Sequence, residues 1–384
     1  MRSQPLPKLS PKPSWNPLKC SGTDLPMNLT ILVKVLAIVL LITNHVRILP
    51  DPWLPFIPLI DRFPPLLFQR TLQTVFIAAA LAIVFNRRIR LSSLVLGAVM
   101  LIAVVSSKAY YGNNKTFCGL MLFLAGLHQP GGPPFLRWQL AITYFGAGLN
   151  KALDGDWHTG VFFENWAVNR LQQPWYIALD SMLPHMWLAR FMCWSTIVTE
   201  LATVPCLLVP RLYYWAILGN ILFQSSLLLF TGTTFTLFFY STTAASLAFV
   251  TWPNSPIAVV YDPANRFAAQ ARRLLEAWDL DGLFSWTRDQ AGAVARDTLY
   301  LAIGDKTYSG FGAVRMIVLL NPVTYFVIAG AIAALGDLPG PAVVGRRLIV
   351  AACLVILMPP LAWTMDALLG RTVSSPDFRP ARTV

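Results

Sequence analysis

The chain has 384 residues, 55% of them hydrophobic and only 12% charged. Soluble domains run near a quarter charged, so a water-facing surface cannot be covered with what is present. Collagen, coiled coils and disordered tails are excluded by the same figures, and a polytopic α-helical membrane protein is the reading that remains. The net charge of +12 comes from 30 Lys and Arg spread along the chain, many beside apolar runs. That distribution suits loops facing anionic lipid; no stretch interleaves basic and aromatic residues as a nucleic-acid binder does, so no nucleic-acid partner is expected.

In chain order, residues 1–28 read as a basic, Pro-rich cytoplasmic tail carrying Arg2, Lys8, Lys12 and Lys19, too polar to pack a core. With no early apolar run and cleavage site, a cleaved signal peptide is not expected. Apolar spans then follow at Leu29–Leu49, Leu66–Phe85, Leu91–Val105 and Tyr110–Leu127. Four more are read at Phe135–Lys151, Trp187–Val209, Leu212–Phe230 and Phe235–Val250. Several fall at or below the ~20 residues a spanning helix uses, so their ends are soft. Residues 29–252 thus form a transmembrane domain, and 253–320 a small soluble domain rich in charge. Residues 321–384 hold C-terminal apolar helices and a tail; the last apolar stretches are Ala313–Ala334 and Leu348–Trp363.

Placing the N-terminus in the cytoplasm puts the tail, the Arg87-Arg88-Arg90 cluster, Arg137 and Arg211 inside. Arg62, Lys108, Lys115, Lys151, Arg170 and Arg190 then fall outside, and eight spans return the 253–320 domain to the cytoplasm. Arg346 and Arg347 fall outside if the last two stretches both span. The expected architecture is an all-α membrane bundle of eight to ten transmembrane helices with a small α/β cytoplasmic domain.

The five cysteines (Cys20, Cys118, Cys193, Cys206, Cys353) include no CxxC pair and read as buried thiols. His45, His128, His158 and His185 are not spaced as ligands, so no metal is expected. Lys34 and His45 are expected to face the membrane from the first span as structural residues. Asn28-Leu-Thr30 and Asn114-Lys-Thr116 fit the glycosylation pattern.

The segment Tyr144–Gly160 is the most unusual. Small residues at Gly146, Ala147 and Gly148 allow close helix approach. Asn150 and Lys151 follow, then an acidic turn with Asp154 and Asp156, then Trp157 and His158. A desolvated lysine at a membrane boundary can serve as base or nucleophile; the structural alternative is a snorkelling Lys151 paired with an acidic neighbour, with Trp157 as an interfacial anchor. Glu200 sits within an apolar run, where an unpaired carboxylate costs at least a few kcal/mol. It reads either as a proton relay or polar cofactor contact, or as a structural hydrogen-bonding partner of Asn220, Gln224 or Lys151. The connection 152–186, with Trp157, Trp166, Trp175 and Trp187 in or beside it, is expected to fold back as one or two interfacial helices over Lys151, Asp154 or Asp156 forming the ion pair.

The run AGLNKALDGDWHTG resembles, with four residues rather than three between Lys151 and Asp156, the AG-x-x-K-x-x-x-D-W-x-x-G signature of HTTM proteins, the membrane domain shared with vitamin K-dependent γ-glutamyl carboxylase. Asn113-Asn114, the break at Pro130–Pro134, and Thr199-Glu200-Leu201 followed by Pro205 agree with that family's pattern, over roughly residues 29–252. The resemblance implies that Lys151 occupies the position of the base acting on vitamin K hydroquinone. Asn150 stands where the carboxylase has a second lysine, no histidine lies in Phe223–Leu227, and the large extramembrane portion that binds substrate is absent. These departures argue against protein carboxylation.

Val259-Val-Tyr-Asp-Pro-Ala-Asn-Arg-Phe-Ala268, a following Arg-rich helix to Trp278, and Tyr308-Ser-Gly-Phe-Gly-Ala313 resemble the DCC family of small thioredoxin-like domains. Asn265 and Ala268 stand where that family has its two cysteines. Thiol–disulfide exchange needs a thiolate, so the resemblance implies a degenerate, redox-dead docking module.

Two readings of function stay open. One is a non-catalytic structural or assembly subunit of a larger membrane complex, in a bacterial inner membrane, with other membrane subunits and the lipid bilayer as partners. The other is a membrane enzyme acting on a quinone or another lipid-soluble substrate, with Lys151 as base and Glu200, Asp156 and His158 as polar partners.

Overall fold

The structure is a computed structural model and describes residues 15–48, 62, 64–107, 110–132, 134–231, 236–250, 252–253, 256–263, 266–288, 299–303 and 306–336. Leu348–Trp363, Arg346, Arg347, Cys353, Lys108, Asn265 and the stretch holding Arg296 and Asp297 lie outside them.

Each of the eight apolar stretches before residue 253 folds as a helix. These are α1 (Met27–Ile42), α2 (Pro65–Val84), α3 (Ile89–Ser106), α4 (Asn113–Leu127) and α5 (Phe135–Leu153). After the connection come α9 (Trp187–Leu208), α10 (Tyr213–Thr231) and α11 (Thr236–Ala245). The connection carries α6 (Gly155–Thr159), α7 (Val161–Glu164), a π-helical turn at Asn165–Arg170, and α8 (Pro174–Asp180). Pro65 and Pro174 open α2 and α8, where a missing N–H is no loss.

Among the described residues, α2, α3 and α9 are long and apolar enough to cross a membrane. A fourth such span exists if Gly312–Leu320 and Pro322–Gly330, bent by 76° at a short break, count as one. The other apolar helices are where the sequence puts them, but α1, α4 and α11 end after 16, 15 and 10 residues.

Close packing in the bundle depends on small residues. A Cβ on Gly97 of α3 would lie 2.5 Å from the backbone nitrogen of Phe123 in α4. One on Gly126 would lie 2.5 Å from Leu94 Cγ. With the backbones this near, Ser93 Oγ donates across the gap to the Leu122 carbonyl at 2.6 Å.

Lys34 does not face the membrane: it is fully buried, with its ammonium donating to the Lys19 carbonyl at 2.7 Å and Asn86 Oδ1 at 2.9 Å. Two acceptors from the far side of the bundle end draw it inward, and the Phe326 ring lies 5.0 Å away. His45 lies beyond the end of α1, its ring nitrogen 2.9 Å from Thr43 Oγ1. Residues 15–26, part of the segment expected to stay out of any core, fold back as a strap. Cys20 and Leu25 are buried, Asn16 O accepts from Asn86 Nδ2 at 2.9 Å, and the Arg87 guanidinium lies 3.3 Å over the Trp15 ring. Main-chain carbonyls and N–H groups, not side chains, do most of this work, which is why a polar composition does not prevent it. Asn28 is engaged internally, its amide donating to the Leu247 and Val250 carbonyls at 3.0 and 3.2 Å.

After α11 the chain enters a sheet unit: β1 (Ile257–Tyr261), α12 (Arg266–Trp278), β2 (Phe284–Arg288), β3 (Leu299–Ile303) and β4 (Lys306–Ser309). The strand order is β2-β1-β3-β4, with β1 and β2 parallel and the other pairs antiparallel. A parallel neighbour needs a crossover, and α12 supplies it. Ile257, Val259 and Tyr261 alternate inward along β1, against Leu299 and Leu301 of β3. The chain leaves through α13 (Gly310–Leu320) and α14 (Pro322–Gly336), and α14 packs on α1. Asn321, at the break between them, donates to the Trp278 carbonyl at 2.8 Å and accepts from the Val323 N–H at 3.0 Å.

Candidate functional site

The inward stripe of α5 runs through Leu140, Tyr144 and Gly148 to Lys151, at helical spacing. Gly148 sets the distance to α9. A Cβ there would lie 2.8 Å from Leu201 Cδ2 and 3.3 Å from Glu200 Cβ. With only hydrogen at this position, the ammonium one turn later reaches the carboxylate directly. Lys151 Nζ is 2.7 Å from Glu200 Oε2 and 2.9 Å from Oε1. The Glu200 side chain is 7% exposed and that of Lys151 21%, so the pair opens to the outside on the lysine side.

The remaining surroundings of Lys151 are a carbonyl and a ring. Ala147 O lies 3.4 Å from Nζ, and the Trp157 ring centroid 5.2 Å. Trp157 is itself stacked on Phe162 at 4.3 Å. The connection does fold back over Lys151, and α6 and α7 pack on α9. The expected pairing of Lys151 with Asp154 or Asp156 is not formed; Glu200 takes that place. Asp154 turns to its own helix instead, capping α6 by accepting the Asp156 N–H at 3.0 Å. Asp156 is exposed. His158 hydrogen-bonds the Ala152 carbonyl at 2.7 Å and stacks on Trp194. Of the residues singled out in the sequence, the structure therefore brings Lys151 and Glu200 together and leaves Asp156 and His158 outside their contact.

Two turns deeper, around Tyr144 of α5, Asn220 and Gln224, expected as alternative partners of Glu200, instead form a polar network. The Tyr144 hydroxyl donates to Asn220 Oδ1 and accepts from Gln224 Nε2 at 3.0 Å. The Asn220 amide continues to the Thr242 carbonyl and to Ser246 Oγ, at 3.0 and 2.9 Å. Asn220 and Gln224 lie four apart on α10, one turn, so both face the same neighbour, and the residue that sequence reasoning missed is Tyr144. Gln224 Oε1 is buried and has no hydrogen-bond partner among the described residues.

Chemically, both oxygens of one carboxylate engage the Lys151 nitrogen, so the side chain is committed to a neighbouring helix. It works as a clamp between α5 and α9. Among the described residues, no group of His, Cys, Asp and Glu is arranged to hold a metal ion. Cys20, Cys118 and Cys193 are buried free thiols, and Cys206 is partly buried. In comparisons with known proteins, no family model, no curated protein and no solved structure matches this chain.

Proposed function

We propose that this is a multi-pass membrane protein acting as a non-catalytic structural or assembly subunit of a larger membrane complex. The observation that carries this reading is the two-oxygen contact of Lys151 with Glu200, which occupies the residue an HTTM-type enzyme would need free. Outward apolar side chains support the bilayer as surroundings. Ile142 and Phe145 of α5 and Phe191 and Val198 of α9 are exposed along helices whose other faces are packed. On this reading the helical part is HTTM-like and the sheet unit a degenerate DCC-like, thioredoxin-like module; the parallel β1-α12-β2 crossover followed by the β3–β4 hairpin supports that assignment.

The strap, the Arg87-Arg88-Arg90 turn and the sheet unit belong on one face, the cytoplasmic face of a bacterial inner membrane. Asp24 accepts the Arg90 N–H at 3.2 Å, and Asp281 of the sheet unit accepts the Ser21 N–H at 2.7 Å. Three basic residues concentrated there agree with the positive-inside rule.

Purification from native membranes in mild detergent, with mass spectrometry of proteins and lipids, tests this. A stoichiometric set of other membrane subunits is the expected result. The second reading, an enzyme acting on a quinone or related lipid-soluble molecule, is favoured by the unpartnered Gln224 Oε1, which a hydroxyl donor would satisfy. It predicts a copurifying quinone without protein partners.

A further inference from the structure

The crossover helix α12 is enclosed on one side only. Ala268 is buried and Leu275 packs against the core of the sheet unit. Leu274 is 67% exposed, and Trp278, one turn later on the same flank, is 45% exposed. Further round the helix the surface turns polar through Gln270 and Arg273 to Glu276, all of them exposed. A leucine and an indole standing together outside the core, with polar neighbours on the far flank, make an apolar stripe distinct from the one that packs on the sheet.

What that stripe meets follows from where the sheet unit is attached. On the way in, the Ala248 carbonyl accepts from Arg137 Nε at 3.0 Å, and the Arg137 guanidinium lies 5.2 Å from the Tyr213 ring. The neighbouring Trp138 of α5 and Trp215 of α10 are both exposed at this level. Tryptophans turned outward at helix ends, beside an arginine, mark the headgroup layer. On the way out, Asn321 holds the Trp278 carbonyl at 2.8 Å, and α14 starts there. Phe326 lies beside Lys34 of α1, and a Cβ on Gly330 would lie 3.9 Å from Ile42 Cδ1, so α14 runs the same way as α1 into the bundle. The two halves of the bent pair meet at 76°, so with α14 upright in a bilayer α13 lies close to its plane, and α12 packs on α13. The last turn of α12 is therefore held where the chain enters the membrane.

We infer that α12 beds in the headgroup layer of the bilayer, with Leu274 and Trp278 immersed and Gln270, Arg273 and Glu276 facing water. Lipid is the surface this stripe fits, because the Asn321 bond keeps Trp278 at the membrane entry point, where an indole satisfies both its apolar body and its N–H. The inference rests on the multi-pass membrane reading above. It makes the sheet unit a module seated on the membrane surface, not one held out in solution by its two connections.

The test attaches a nitrobenzoxadiazole fluorophore to Leu274→Cys in the full chain in phosphatidylcholine nanodiscs, with the unsubstituted protein treated alike as the blank. Parallel samples carry it on Glu276→Cys, on the opposite side of α12, and on Phe145→Cys, on the outward face of α5. Lipid bearing a nitroxide near its headgroup should quench the Leu274→Cys label about twofold more than the Glu276→Cys label, since an interfacial helix immerses one face only. Iodide in the water should give the reverse order. Lipid with the nitroxide deep in its chains should quench the Phe145→Cys label. Quenching by lipid at Phe145→Cys but not at Leu274→Cys overturns the inference and leaves the membrane reading standing; quenching at neither overturns both. Equal quenching on the two sides of α12 overturns the inference. So does a Leu274→Cys label shielded from lipid and iodide alike, which would mean that protein covers the stripe. Should Leu274→Cys fail to fold, Trp278→Cys reports from the same flank and is read in the same way.

Discussion

Cys20 donates its backbone N–H to Asp281 Oδ1 at 2.8 Å, joining segments 261 positions apart in the chain. The same carboxylate takes the Ser21 N–H. One side chain of the sheet unit therefore ties that unit to the N-terminal strap at Cys20, whose side chain is buried.

Asp281→Ala should loosen the strap around Cys20, while Asn16 and Lys19 keep their own bonds to the bundle. Burial pushes the Cys20 thiol well above the ordinary thiol range, so in the native protein maleimide labelling should stay slow and nearly flat from about pH 7 to 9. In the variant the rate should climb across that window as an ordinary thiol ionises. The measurement is a labelling time course in a background where the other cysteines are serine. A flat profile in Asp281→Ala would mean that the strap is held elsewhere.

Lys151→Met leaves Glu200 buried without its cation and should lower stability by roughly 3 kcal/mol. Adding Glu200→Gln to it should recover much of that loss, because no bare charge then remains. Denaturation in mixed micelles, run as a double-mutant cycle, reads the coupling.

Gly97→Ala and Gly148→Ala should differ in severity. At Gly97 the new methyl meets backbone of α4, which cannot swing away; at Gly148 the nearest atoms belong to the flexible Leu201 side chain. The first should cost more than about 3 kcal/mol and the second about 1–3 kcal/mol. Thermal melts of the two variants side by side check the order.

Tyr144→Phe removes the hydroxyl that joins Asn220 to Gln224 and should cost about 1–3 kcal/mol. Thermal melts of Tyr144→Phe beside the unsubstituted protein check the size of that loss.

Helix positions were legible because apolar runs are a local signal: the eight stretches and the eight helices differ only at their ends. Pairings were legible only in part. Lys151 was one of the named candidates for Glu200, but proximity in sequence favoured Asp154, three residues from the lysine. Asp154 sits where α6 starts, and a carboxylate at that point satisfies its own helix first. The inward turn of Lys34 was hidden for a different reason: one of its acceptors is a main-chain carbonyl, and every residue has one. The same holds for the strap, whose anchors include the N–H groups of Cys20 and Ser21 and the carbonyls of Asn16 and Lys19.

The packing of α14 on α1 has a consequence for how the chain is made. Of this pair α1 is made long before α14, so the contact between them closes only when nearly the whole described chain has been synthesised. Until then the Lys34 ammonium can reach Asn86, from the α2–α3 turn, but not the Phe326 ring that later covers it. One face of α1 thus stays uncovered for most of synthesis, open to insertion factors, to proteases, or to the wrong neighbour.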